Sequence, residues 1–223
     1  MSRRTVFDRN PSLKQPSGRA GWATSFAPVL ADLRRTLLDR EPARIASLAG
    51  ADWSADRQEF ALDLLGERCR IGWPDLVAYR AGATCPLSTN LQGLLLYYLS
   101  LADGSAPSGT WISFRELPDG WLYHQAFQGY SGDVLARELG NDIGAFATAA
   151  VALGGAPLGL GDCGYGFTCL PRVKLALVYW RGDEEFAPRA QVLFDASASH
   201  YLTTDGLAGL GSHLISRLLK ATA

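Results

Sequence analysis

Asp195 and His200 are the residues of this chain best suited to acid–base chemistry. A carboxylate can orient an imidazole as a general base or as a metal ligand. Ser197 and Ser199 stand beside them, the composition of a serine hydrolase. No Gly-x-Ser-x-Gly elbow accompanies them, and near neighbours in sequence rarely reach triad geometry. Asp195 could equally cap the turn that follows it.

A second acidic place is Asp183-Glu184-Glu185. Three carboxylates can offer oxygen ligands to magnesium or calcium. Adjacent residues on a strand point to opposite sides, so a solvated hairpin tip explains them equally well. Arg115-Glu116 offers a structural ion pair or a contact to an anionic ligand. The candidate ligand-binding residues are therefore Asp195, His200, Arg115 and Glu116, and the candidate metal ligands are Asp183, Glu184 and Glu185. His124 and His213 fall in amphipathic or helical surroundings, which suits surface or core-edge positions.

The four cysteines, Cys69, Cys85, Cys163 and Cys169, include no Cys-x-x-Cys pair. Their spacing does not match zinc or iron–sulfur motifs. The glycines between Gly154 and Gly166 lack the Gly-Lys-Ser/Thr ending of a phosphate loop, and strand-like residues follow them. A tightly turning loop is the expectation there. No motif specifies a cofactor.

The elements that position these residues are read from periodicity. Val173–Trp180 (VKLALVYW) is apolar on both faces apart from Lys174, which predicts a strand in a sheet interior. A charged turn follows, and Pro188 limits the return because it cannot donate to a ladder. Ala190–Phe194 is the expected antiparallel partner. A strand rises about 3.3 Å per residue, so this hairpin holds the acidic tip roughly 20 Å from Asp195 and His200. The glycine loop is expected at the same end of the central strand as Asp195.

Alternation across Glu59–Trp73 predicts a hairpin turning at Gly66-Glu67, with Cys69, Ile71 and Trp73 on one side. Leu76–Tyr79 predicts a short strand and Thr110–Arg115 another. Apolar stripes predict helices over Phe26–Leu38, Pro42–Leu48, Ser88–Leu101, Ser131–Leu139, Asn141–Leu153 and Thr204–Leu219. Strands come in adjacent pairs, which predicts an α+β fold with a mainly antiparallel sheet. The expected organisation is a disordered basic tail over residues 1–20 and one domain over 21–223.

The chain has 223 residues, 48% hydrophobic and 19% charged, so it can bury a core without disulfide staples. A net charge of −1 excludes a general nucleic-acid binder. No run approaches the ~20 apolar residues of a membrane span. No leader-like apolar region follows Met1, and a cytoplasmic setting with reduced thiols is expected.

Three stretches carry a resemblance: WISFRELPDG (Trp111–Gly120), LPRVKLALVYWRGDEEF (Leu170–Phe186) and QVLFDASASHYL (Gln191–Leu202). They resemble an uncharacterised family, a domain of unknown function found largely in anaerobic bacteria and archaea. The likeness runs from about Arg57 to the C-terminal helix. Some relatives look to be fused to a four-cysteine iron–sulfur domain like that of corrinoid iron–sulfur proteins. The resemblance implies a setting of anaerobic metallocofactor metabolism and supplies no catalytic residue. This chain lacks the clustered four-cysteine module, which argues against electron transfer through a cluster of its own.

Three functional readings follow. The first is a ligand- or cofactor-binding accessory protein, with a small-molecule ligand. The second is a metal-assisted hydrolase or transferase. The third is a structural subunit that binds a partner protein.

Overall fold

The computed structural model describes residues 19–222, with side chains from Pro28 onward. The basic tail expected over residues 1–20 lies outside the described residues up to position 18. Helix α1 (Arg19–Leu38) starts earlier than the apolar stripe alone suggests. It is followed by α2 (Pro42–Ala49), whose proline opens the first turn and whose end is capped by Gly50 at φ 64°.

The first sheet is an antiparallel meander of β1 (Asp52–Ser54), β2 (Glu59–Leu64), β3 (Glu67–Gly72) and β4 (Ala78–Arg80), in that order. The expected hairpin is β2–β3. Leu64 pairs with Glu67, and Leu65 and Gly66 turn the chain at φ 51° and 75°. Two positive φ values in a two-residue loop match the right-handed twist of the flanking strands. Phe60, Leu62, Cys69 and Ile71 point inward and are buried. Helix α3 (Thr89–Leu101) then crosses the core with Leu95, Leu96, Tyr98 and Leu99 fully enclosed.

The second sheet has five strands in the order β5-β9-β8-β7-β6, all antiparallel. Its members are β5 (Trp111–Ser113), β6 (Ala156–Leu158), β7 (Cys163–Leu170), β8 (Val173–Trp180) and β9 (Arg189–Asp195). Strand β8 occupies the centre, and Tyr179 pairs with Ala190 and Leu175 with Phe194, as its two apolar faces predict. Val173, Leu175, Leu177 and Tyr179 enter the main core, while Ala176 and Val178 are buried on the opposite face. Helices α4 (His124–Tyr130), α5 (Gly132–Leu139), α6 (Ile143–Ala152) and α7 (Thr204–Ala221) complete the fold. Buried apolar residues from both sheets join one continuous cluster, and helices with two antiparallel sheets make the architecture α+β.

Three expectations are corrected. Strand β5 ends at Ser113, because Ser113 and Glu116 form a capping box that starts a 3₁₀ turn over Phe114–Glu116. The glycine-rich stretch is largely β structure: β6 pairs with β7 through Ala156 with Gly166 and Leu158 with Gly164. Its turn sits at the Tyr179 end of β8, where Asp162 N–H donates to Tyr179 O at 2.9 Å. The turn therefore lies at the opposite end of the sheet from Asp195, which pairs with Trp111.

Candidate functional site

The structure separates the residues marked by sequence into places with different roles. Asp195 is fully buried at the end of β9. Its Oδ1 accepts from Ser108 N–H at 2.9 Å, Ser108 Oγ at 3.0 Å, Ser197 N–H at 2.9 Å and Ser197 Oγ at 2.6 Å. Its Oδ2 accepts from Gly109 N–H at 2.7 Å. Burial on its own raises this carboxyl's pKa, but the donors from Ser197, Ser108 and Gly109 outweigh it and hold the value at about 2. An ionised carboxylate this saturated is an anchor for the 103–110 loop, and it also caps the 3₁₀ turn Ala196–His200.

His200 takes a different carboxylate. Its Nδ1 lies 2.6 Å from Asp103 Oδ2, and the pair is about half exposed. Asp103 Oδ1 accepts from Ser105 N–H at 2.8 Å. That backbone donor, then the His200 contact, lower the Asp103 pKa to about 2. The bond at Nδ1 fixes the ring and leaves Nε2 without a hydrogen bond among the described residues, the arrangement of an oriented base or of a histidine ligand. Ser105 Oγ is 3.4 Å from Nδ1, the wrong nitrogen for activation by this base, and Ser197 is committed to Asp195. The serine-hydrolase geometry is not assembled.

Glu116 receives Ser113 N–H at 2.8 Å and Ser113 Oγ–H at 2.7 Å, so it closes a local turn. Arg115 is exposed beside it. At the acidic tip, Asp183 Oδ1 accepts from Glu185 N–H at 2.9 Å and Phe186 N–H at 2.8 Å, which lowers its pKa. Glu184 and Glu185 are exposed. Asn141 pins this tip by accepting from Gly182 N–H at 2.8 Å. Among the described residues, no group of three His, Cys, Asp or Glu side chains could hold a metal ion. Cys69 and Cys169 are buried, Cys163 is half-buried and Cys85 is exposed.

A hollow lies elsewhere, on the outer face of β2–β4. It has a volume of about 430 Å³ and opens over Gly72. Register places Glu59 opposite Gly72, and Arg70 between Ala61 and Tyr79. Gly72 lies among the lining residues, with Asp75 Oδ1 2.7 Å from where a Cβ on it would stand. The Arg70 guanidinium lies 4.8 Å from the centre of the Tyr79 ring, and its Nη2 donates to Ala83 O at 3.0 Å. Trp73 stands at the rim, packed edge-on to Trp53 at 6.2 Å and to Phe60 at 5.9 Å. Arg57 Nε is 3.4 Å from the Glu59 carboxylate, which is only 18% exposed.

Gln58, which lines this hollow, adopts φ 52°, and Leu76 on the adjoining turn adopts φ 54°. Left-handed backbone at non-glycine residues costs free energy and collects where the surroundings impose it. Sequence reasoning missed this site. The one signal available was alternation in β2 and β3, which puts Glu59 and Arg70 on the outer face.

Residues 41–217 match a family described as a domain of unknown function (DUF3786). The chain belongs to that family. The match begins at Glu41, ahead of the Arg57 expected from the resemblance, and so takes in α2 and β1. Both candidate places of this DUF3786 domain, the hollow and the His200–Asp103 pair, lie inside the matched span. No curated protein and no solved structure matches the chain. No helix among the described residues is long and apolar enough to cross a membrane.

Proposed function

We propose that this protein is a ligand-binding accessory protein that holds a small polar molecule in the hollow of the first sheet. One observation carries this reading. Two arginines, two acidic residues and two aromatic residues line a volume of about 430 Å³. That size falls within the ~300–1,000 Å³ typical of small-molecule sites. The walls are preorganised, since Arg70 is fixed on Tyr79 and on Ala83 O, and Trp73 is wedged against Trp53 and Phe60. Preorganisation lowers the entropic cost of binding. His200 does not line the hollow, so a binding role is favoured over an enzymatic one there. A setting in anaerobic metallocofactor metabolism is part of the proposal and rests on the resemblance of the three quoted stretches.

The test is a titration followed by amide NMR, using a panel of amino acids, carboxylates, phosphates and nucleobases. Saturable shifts confined to Gln58–Ala61, Arg70–Trp73 and Tyr79 are expected for at least one class. If no compound moves those amides at millimolar concentration, the reading fails.

The Nε2 of His200, without a hydrogen bond among the described residues and oriented by Asp103, favours a second reading as a hydrolase or transferase using that imidazole as base. Its test is an ester- and phosphoester-cleavage assay on wild type and His200→Ala. Equal rates for the two would end it.

A further inference from the structure

Resting on the ligand-binding reading above, we infer that the hollow takes a small zwitterion of the α-amino acid class. The charge balance of its lining leads there. Arg57, Arg70, Glu59 and Asp75 all line the hollow. An anion would gain from the arginines and be repelled by the acids, and a cation would meet the reverse. A molecule with an ammonium and a carboxylate satisfies both.

Glu59 is the most telling member. Its side chain is 18% exposed, yet its sole ionic contact among the described residues is Arg57 at 3.4 Å. No hydrogen bond from the described residues reaches its carboxylate. Neither oxygen is sealed from solvent, so both are open to a ligand's donors, and an ammonium brings three. Arg57 itself is 75% exposed and shares its Nε with Ser54 Oγ at 3.4 Å.

Arg70 supplies the anion contact. Arg70 uses Nη2 on Ala83 O and one ring face on Tyr79. Its Nη1 has no hydrogen bond among the described residues. A fixed guanidinium with a free edge suits a carboxylate, which it can bind through parallel N–H donors. Gly72 admits the Asp75 carboxylate to the hollow: a Cβ there would lie 2.7 Å from Asp75 Oδ1.

The experiment uses the full chain and amide NMR titration. The probes are the free protein amino acids, then the tightest of them as its N-acetyl and carboxamide forms, with acetate and inorganic phosphate as simple anions. The zwitterion is expected to bind at least tenfold tighter than either singly charged form. Glu59→Gln should weaken it at least tenfold and erase discrimination against the N-acetyl form. Arg70→Gln should erase discrimination against the carboxamide. Both variants are checked for wild-type spectra away from the hollow. If a singly charged form, acetate or phosphate binds as tightly at the same amides, the ligand class is wrong and the cleft reading stands. If no probe or panel compound moves those amides, both fall.

Discussion

Asp195 holds Ser108 across 87 positions of chain, accepting from its N–H at 2.9 Å and its Oγ–H at 3.0 Å. The carboxylate is fully buried, and the loop it grips has no secondary structure of its own. A loop without internal backbone–backbone hydrogen bonds must satisfy its backbone through side chains. Here one side chain does so for Ser108, Gly109 and Ser197.

Asp195→Asn should therefore destabilise the protein by about 2–3 kcal/mol in urea unfolding at pH 7. An amide keeps the shape but loses the charge that strengthens several donors at once.

The same group predicts an acid-dependent stability. Its pKa falls from an ordinary 3.8 to about 2 on folding, so the folded state favours the ionised form. The stabilisation is fully present above pH ~4 and is lost as pH falls through ~2, amounting to about 2 kcal/mol. Unfolding curves between pH 5 and 2 should show wild type losing this increment. Asp103 shifts in the same direction, so the part missing from Asp195→Asn isolates Asp195.

Gly132→Ala should cost about 3 kcal/mol or more. A Cβ there would stand 2.1 Å from Ala190 O, a backbone atom of β9 that has no room to move. Gly209→Ala meets nothing within 4 Å on an exposed face of α7 and should gain about 0.5–1 kcal/mol. Thermal melts of the two variants should move in opposite directions.

Tyr179 donates its hydroxyl to Gly140 O at 2.7 Å, tying β8 to the end of α5. Tyr179→Phe should lower stability by about 1 kcal/mol, since the ring still packs and one carbonyl loses its donor. Urea titration measures it, and an unchanged midpoint would contradict the assignment.

Thiol labelling should follow exposure. Cys85 is exposed and should react first. Burial pushes the Cys69, Cys163 and Cys169 thiols up, which lowers their thiolate fraction. Mass spectrometry after timed maleimide treatment should show one fast adduct. Cys69 and Cys169 should label only on unfolding.

What the sequence determined by itself is local in origin. Two apolar faces sufficed to place Val173–Trp180 inside a sheet, because a strand's period of two sorts its side chains without reference to the rest of the chain. The same reasoning found the β2–β3 hairpin and the stripe of Leu207, Leu210, Leu214 and Leu218, all buried on α7. Asp195 was legible as a turn cap for the same reason, since Ser197 is two residues away. Tertiary structure alone decided the rest. The partner of His200 is Asp103, 97 positions away rather than the neighbouring Asp195. The glycine-rich stretch became an edge hairpin because Gly164 and Gly166 lie against Leu158 and its neighbours, where side chains would collide. The hollow over Gly72 gathers residues from β2, β3, β4 and the turns between them. Strand register sets which of them meet, and register is fixed by burial of the opposite face in a core shared with the second sheet.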